Sequence, residues 1–211
     1  MYGCVTCFIS GFILKKAIGE GYIEDYIGDV KFRISPLSFY QVNPEGTELL
    51  YKRAKDYAEL EDGDVLLDMY CGAGTIGLSM ADKAKEIIGV EIIPEAIENA
   101  KENAARNGMT NAQFFCGDAS DAGKILSDCG IRADAVVVDP PRKGLSEALI
   151  QTIADFDPEK IVYISCNPAT LARDLDILSQ KYSISTVTPV DMFPQTNHVE
   201  CVALLRSDIN L

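Results

Sequence analysis

Apolar residues recur along this chain in short unbroken runs separated by amphipathic stretches. Runs at 65–69, 86–91, 112–116, 134–138 and 160–165 have the length of strands. Between and after them, 75–82, 94–107, 119–128, 145–155 and 168–180 read as helices. Val65-Leu66-Leu67 and Ala135-Val136-Val137-Val138 are apolar at consecutive positions, which suits a sheet covered on both faces. Strand–helix alternation of this kind predicts a doubly wound α/β domain. Two more runs, 183–190 and 199–205, have no helix between them and predict an antiparallel pair at one edge. The sheet would then be mostly parallel and seven-stranded.

Upstream, the apolar positions from Gly19 to Ser35 are broken by Gly21 and Gly28 and predict short strands in a hairpin. Asn43-Pro44 opens a helix to about Glu59, with Asn43 as cap and Pro44 in the first turn. The chain thus divides into an atypical segment 1–16, a β-hairpin and helix lead-in 17–60, and a main domain 61–211.

Composition narrows the class. The 211 residues are 47% hydrophobic and 24% charged, which excludes collagen-like, coiled-coil and disordered chains. The 32 acids against 19 bases give a net charge of −13, and no basic block marks a nucleic-acid footprint. Seven cysteines at wide spacing do not form a disulfide framework and point to reduced thiols in a cytoplasmic enzyme. Cys4 and Cys7 form a CxxC with no second pair at zinc-site spacing, so no metal is expected. Cys71, Cys116, Cys129 and Cys201 read as core fillers. The apolar run Val5–Leu14 is too short to span a bilayer and lacks the flanks of a signal peptide, so no membrane partner is expected.

In doubly wound sheets ligands bind at the carboxyl ends of the strands. After the first run, Gly72, Gly74 and Gly77 satisfy GxGxxG between a strand and a helix, where backbone can approach a ligand closely. Glu91 ends the second run, positioned to accept both hydroxyls of an adenosine ribose. Asp118, after the third, is placed to meet an adenine amino group. These features fit a dinucleotide or S-adenosylmethionine. Asp68, just before the glycines, favours the second, because an acid there repels a pyrophosphate but suits the ammonium of a methionine moiety.

The fourth run ends in Asp139-Pro140-Pro141-Arg142, a stiff turn presenting Asp139. The fifth ends in Ser165-Cys166-Asn167-Pro168, placing Cys166 at a helix N-terminus, where unpaired N–H groups favour a thiolate. His198, the sole histidine, reads more readily as structural than catalytic. Glu200 begins an apolar run, where a carboxylate is costly unless paired or functional. A methyl donor beside a nucleophilic cysteine suits one chemistry in particular. Carbon 5 of a pyrimidine becomes nucleophilic once a thiolate adds to carbon 6, and a base must then remove the carbon 5 proton.

Together these residues resemble the RNA uracil-5 methyltransferases, which make 5-methyluridine in ribosomal and transfer RNA. The resemblance runs from about Gly19 to Leu205. It rests on Ser38-Phe39-Tyr40-Gln41-Val42-Asn43, Leu67-Asp68-Met69-Tyr70-Cys71-Gly72-Ala73-Gly74-Thr75, Val138-Asp139-Pro140-Pro141-Arg142, Ser165-Cys166-Asn167-Pro168 and His198-Val199-Glu200. It implies the Rossmann-like fold of class I S-adenosylmethionine-dependent methyltransferases, with Gln41, Tyr70, Glu91 and Asp139 lining the cofactor site. It further implies Cys166 as nucleophile, Glu200 as base, Phe39 near the base, and RNA as partner, ribosomal rather than transfer. Members usually carry an RNA-binding barrel and a region holding an iron–sulfur cluster before this domain. Cys4 and Cys7 cannot supply four ligands, so the expectation is a catalytic domain without a cluster that binds RNA weakly. The alternatives are a cofactor-binding remnant inactive alone, or an enzyme methylating exocyclic amino groups, whose Asp-Pro-Pro-Tyr loop Asp139–Arg142 partly matches. Cytosine-5 enzymes need a cysteine after the fourth strand, which is absent here.

Overall fold

A computed structural model describes residues 6–10, 13–18, 21–36 and 38–207, the first two segments as backbone. Thr6–Ser10 (β1) and Ile13–Ile18 (β2) pair antiparallel. Cys4 and the side chain of Cys7 lie outside the described residues, and with them the CxxC reading. Ile23–Ile27 (β3) and Val30–Ile34 (β4) form the hairpin expected from the Gly28 turn.

The helix Pro44–Ala58 (α1) begins as its sequence dictates. Asn43 Oδ1 accepts from the Gly46 N–H at 3.1 Å and Pro44 occupies the first turn, where its missing N–H costs nothing. The alternation then runs Val65–Met69 (β5), Thr75–Ser79 (α2), Glu86–Glu91 (β6), Pro94–Arg106 (α3), Ala112–Cys116 (β7), Ala122–Cys129 (α4), Ala135–Val138 (β8), Glu147–Phe156 (α5), Lys160–Ser165 (β9), Pro168–Leu178 (α6), Tyr182–Val190 (β10) and Glu200–Ser207 (β11). The seven strands β5–β11 lie in the order β10-β11-β9-β8-β5-β6-β7. Strands β5 to β9 pair in parallel, and β11 runs antiparallel to both β9 and β10. This is the doubly wound sheet with an antiparallel edge that the sequence predicts.

Residues one apart on a strand face opposite ways, so each central strand feeds two cores. Leu66, Val137, Val162 and Ile164 pack under α1, α2, α3 and the β3–β4 hairpin. Leu67, Val136, Val138 and Tyr163 pack against α4, α5 and α6. The lead-in helix belongs to the first of these cores, since Leu50, Tyr51, Ala54 and Ala58 of α1 are buried in it.

Two elements differ from expectation. Helix α2 stops at Ser79 rather than 82, because the Met80 N–H turns back onto the Gly77 and Leu78 carbonyls. The stretch 119–128 begins with a tight 3-10 turn, Ala119–Asp121, before α4. No helix among the described residues is long and apolar enough to cross a membrane.

Candidate active site

Every residue singled out at a strand end falls on one rim of the sheet. Tyr70, Gly72 and Gly74 follow β5 with φ of 66°, 53° and 81°. Glycine adopts this left-handed region freely, whereas Tyr70 is held there at a cost of about 1–2 kcal/mol. At Gly74 a Cβ would stand 3.2 Å from the Ala100 Cβ and the Phe114 ring, so the turn lies hard against α3 and β7.

Gly77 serves a different end. Its N–H donates to Asp68 Oδ2 at 2.8 Å, and a Cβ there would press to 2.9 Å from the same oxygen. Asp68 is wholly buried beneath the turn, and burial pushes its pKa up to about 7. The reading of Asp68 as an acid facing a ligand's ammonium needs correction: its carboxylate closes the start of α2. Its Oδ1 has no hydrogen-bond partner.

Glu91, half-buried at the end of β6, grips the same turn. Its Oε2 accepts from the Gly72 N–H at 3.2 Å and its Oε1 from the Ile93 N–H at 2.9 Å. Asp118 is exposed, and its Oδ1 accepts from the backbone and hydroxyl of Ser120, which hold its pKa below the usual range.

The other half of the rim holds the candidate reactive groups. Strand β11 pairs with β9 in a register that sets Cys201 opposite Ser165. One step further along the rim, Glu200 at the start of β11 comes level with Cys166 at the end of β9. Both line a cavity of about 250 Å³, together with Arg142, Phe193, Thr196 and His198. Glu200 is only 6% exposed, so it is no solvated strand end, and burial raises its pKa. Asp139, just past the end of β8, is partly exposed. Burial, then the charges of Glu200 and Asp68, push its pKa up to about 8.

The thiol of Cys166 is not activated as the sequence suggested. Burial, then the negative charges of Glu200 and Asp139, raise its pKa. The first backbone groups of the helix are engaged elsewhere, and the Cys166 N–H is the backbone donor that acts to lower the pKa. The Asn167 N–H donates to Ser165 Oγ, Pro168 has no N–H, and the Ala169 N–H donates to Asn167 Oδ1. Arg142, 3.5 Å from His198 Nδ1 at the mouth, acts in the opposite sense on both Cys166 and Glu200.

The loops bearing Asp139 and Cys166 are bolted together. Asn167 Nδ2 and Thr170 Oγ1 both donate to the Arg142 carbonyl, at 3.1 and 3.3 Å. Buried Asp174 accepts from the Leu145 N–H and the Tyr163 hydroxyl, and pairs with Arg173. Gln41 is buried in the segment before α1, and Phe39 is 75% exposed. Asn43 Nδ2 donates to the Met192 carbonyl at 2.9 Å, tying that segment to the loop that lines the Cys166 cavity. A second hollow, of about 550 Å³ between the β3–β4 turn and α1, is lined by none of the expected site residues.

The cysteine reading holds only in part. Cys71 and Cys201 are buried, but Cys116, at the end of edge strand β7, and Cys129, at the end of α4, are exposed. Sequence reasoning also passed over Arg142, Thr196 and Asn103 and gave His198 a structural role. The asparagines at 99, 103 and 107, repeating every four residues, were the available signal for Asn103.

The model of the tRNA (uracil-5-)-methyltransferase family matches residues 22–208. This chain belongs to that family. A Bacillus cereus protein described as an uncharacterized RNA methyltransferase is 56% identical over 188 residues, covering 89% of this chain and 41% of that protein. A counterpart from Halalkalibacterium halodurans is 53% identical over 202 residues, covering 95% and 44%. The chain therefore spans less than half the length of these curated relatives. Among solved structures, the tRNA (uracil-54, C5)-methyltransferase of Pyrococcus abyssi, in complex with S-adenosyl-L-homocysteine, superposes with a TM-score of 0.77 at 34% identity. It matches 91% of this chain and 46% of that one. The fold is accordingly that of class I S-adenosylmethionine-dependent methyltransferases, as expected.

Proposed function

We propose that this chain is the catalytic domain of an S-adenosylmethionine-dependent RNA methyltransferase acting on carbon 5 of a uridine. The observation that carries this reading is the single cavity shared by Cys166 and Glu200 beside the Asp139 loop. The donor set fits the cofactor. Tyr70, Gly72 and Gly74 supply a backbone turn, and Glu91, Asp118 and Asp139 supply carboxylates, an array suited to ribose hydroxyls and a cationic donor and ill suited to a pyrophosphate. The family resemblance adds buried Gln41, from the lead-in segment, to this set. When bound, S-adenosylmethionine supplies an electrophilic methyl group to carbon 5 of the uracil.

The protein's own groups do the rest. Cys166 gives up its proton to solvent at the open cavity, its sulfur bonds to carbon 6, and the electron pair of the carbon 5–carbon 6 double bond moves onto the ring and its 4-oxygen, with Arg142 as the cation in the cavity that offsets this charge. After carbon 5 is methylated, Glu200 takes its proton, the freed electron pair re-forms the carbon 5–carbon 6 double bond, and the carbon 6–sulfur bond breaks to release Cys166 as the thiolate. A carboxylate with a raised pKa is a stronger proton acceptor than an ordinary one, which suits Glu200 to this task. Burial of the target base requires it to leave the RNA stack, at a cost of a few kcal/mol. We take 23S ribosomal RNA as the first acceptor. The Pyrococcus relative, named for uracil-54 of tRNA, makes transfer RNA the second acceptor to assay.

The test is incubation with S-adenosylmethionine and 5-fluorouridine-substituted transcripts of either RNA. A trapped protein–RNA adduct mapped to Cys166, absent from Cys166→Ala, is expected. Methylation of an amino group that survives Cys166→Ala would replace this reading with the exocyclic alternative.

A further inference from the structure

Asn99 and Asn103 lie on α3 and Asn107 caps its end, one above another on a single helical face. Strand β4 has one strand partner, β3, and turns its other edge toward these amides. They fill that edge as a neighbouring strand would. Asn107 Oδ1 accepts from the Lys31 N–H at 2.9 Å and its Nδ2 donates to the Lys31 carbonyl at 2.7 Å. Asn103 Oδ1 accepts from the Arg33 N–H at 2.8 Å and its Nδ2 donates to the Arg33 carbonyl at 3.1 Å. Asn99 Nδ2 reaches Ser35 Oγ at 3.3 Å.

Asn103 differs from the other two. It is 0% exposed, and its Nδ2 also donates to the Ala73 carbonyl at 3.2 Å, between the two positive-φ glycines of the turn after β5. Both hydrogens of the amide are thereby used, one toward the hairpin and one toward the turn.

We infer that Asn103 is a positioning residue for the methyl-donor site. It holds the Gly72–Gly74 backbone at a set distance from β4, the strand that leads into Phe39 and Gln41. The inference rests on the assignment of that turn to the cofactor. A carbonyl left without its donor would let the Ala73 peptide rotate, since glycine on either side offers little resistance.

Asn103→Asp and Asn107→Asp make matched probes. Each keeps the acceptor oxygen toward β4 and loses the donor, but only the first unties the turn. In the absence of cofactor, amide hydrogen exchange at Gly72–Gly77 is expected to quicken in Asn103→Asp alone. Calorimetric titration with S-adenosylhomocysteine is expected to show its Kd raised about tenfold, against less than about twofold for Asn107→Asp. Turnover at saturating cofactor should change little. Equal losses in the two variants, or unchanged exchange at the turn in Asn103→Asp, would overturn the inference and leave Asn103 as an edge partner of β4. If Asn103→Asp does not fold, Asn103→Ser is read by the same two measurements. Wild-type protein that fails to bind S-adenosylhomocysteine would sink the cofactor assignment, while the exchange comparison still decides whether Asn103 holds the turn.

Discussion

At the scale of single residues, the reactive groups share one electrostatic problem. Cys166, Glu200 and Asp139 are three acids crowded at one rim; burial disfavours the charge of each, the charge of Glu200 adds to this at the other two, and that of Asp139 adds to it at the thiol. The resting thiol is therefore protonated. Alkylation of Cys166 by iodoacetamide, followed by peptide mass spectrometry so that exposed Cys116 and Cys129 are counted separately, should accelerate with pH to beyond 9. Glu200→Gln removes one of the repelling charges and should move the inflection to lower pH; an unchanged inflection would mean that Glu200 does not act on the thiol. The same variant should lower turnover about 10²–10⁴-fold while the RNA adduct accumulates, because addition survives and proton removal does not. Denaturing gels of the reaction would show the retained complex.

Glu91, Asp139 and Cys166 were legible in the sequence because each ends an apolar run, and strand ends are where such sheets bind ligands. Gln41 carried no such signal. It lies in an irregular segment whose link to the 191–198 loop, through Asn43 and the Met192 carbonyl, is made by tertiary packing alone. The raised pKa of Cys166 was equally hidden, since the charges responsible come from strands 27 and 34 residues away in the chain.

At the scale of elements, the turn after β8 is set by α6. Gly144 has a φ of 74°, and a Cβ there would come within 2.7 Å of Arg173 Nη2 and closer still to Asp174 Oδ2. Gly144→Ala should cost about 1–3 kcal/mol in urea unfolding, combining backbone strain with a displaced buried carboxylate. Asp174→Ala should cost more, about 3 kcal/mol, because it leaves the Tyr163 hydroxyl and the Leu145 N–H without their acceptor. A loss below about 0.5 kcal/mol in either would show that the two loops are held by other contacts. Strand and helix limits were readable to within a few residues from periodicity and caps such as Asn43. The bolts between loops were not, since they join residues about thirty apart through side-chain geometry.

At the scale of the whole molecule, buried acids tie stability to pH. Asp68 and Asp139 have folded pKa values of about 7 and about 8 against an unfolded value of 3.8. Between those limits the native state binds more protons than the unfolded chain, so their contribution is full below 3.8 and drains away as pH rises through 7 and 8. The Tm should therefore fall from pH 6 to pH 9, and Asp139→Asn should flatten the fall. A Tm that rises over this interval would contradict the burial described for both groups. Strand order was beyond the reach of periodicity, which marks strands without saying which are neighbours.

Strand β11 has one further consequence. Its pairing with β9 is antiparallel, so the beginning of a late strand meets the end of an earlier one, and Glu200 and Cys166, the proposed proton acceptor and nucleophile, come level across a single rung. A one-residue slip of that rung would rotate the carboxylate through the sheet and bring the sulfur of Cys201 into its place. Two thiols would then confront each other where one thiol and one base are required, and an oxidant could join them. Fidelity of one hydrogen-bond ladder thus separates a transferase from a redox-sensitive dead end.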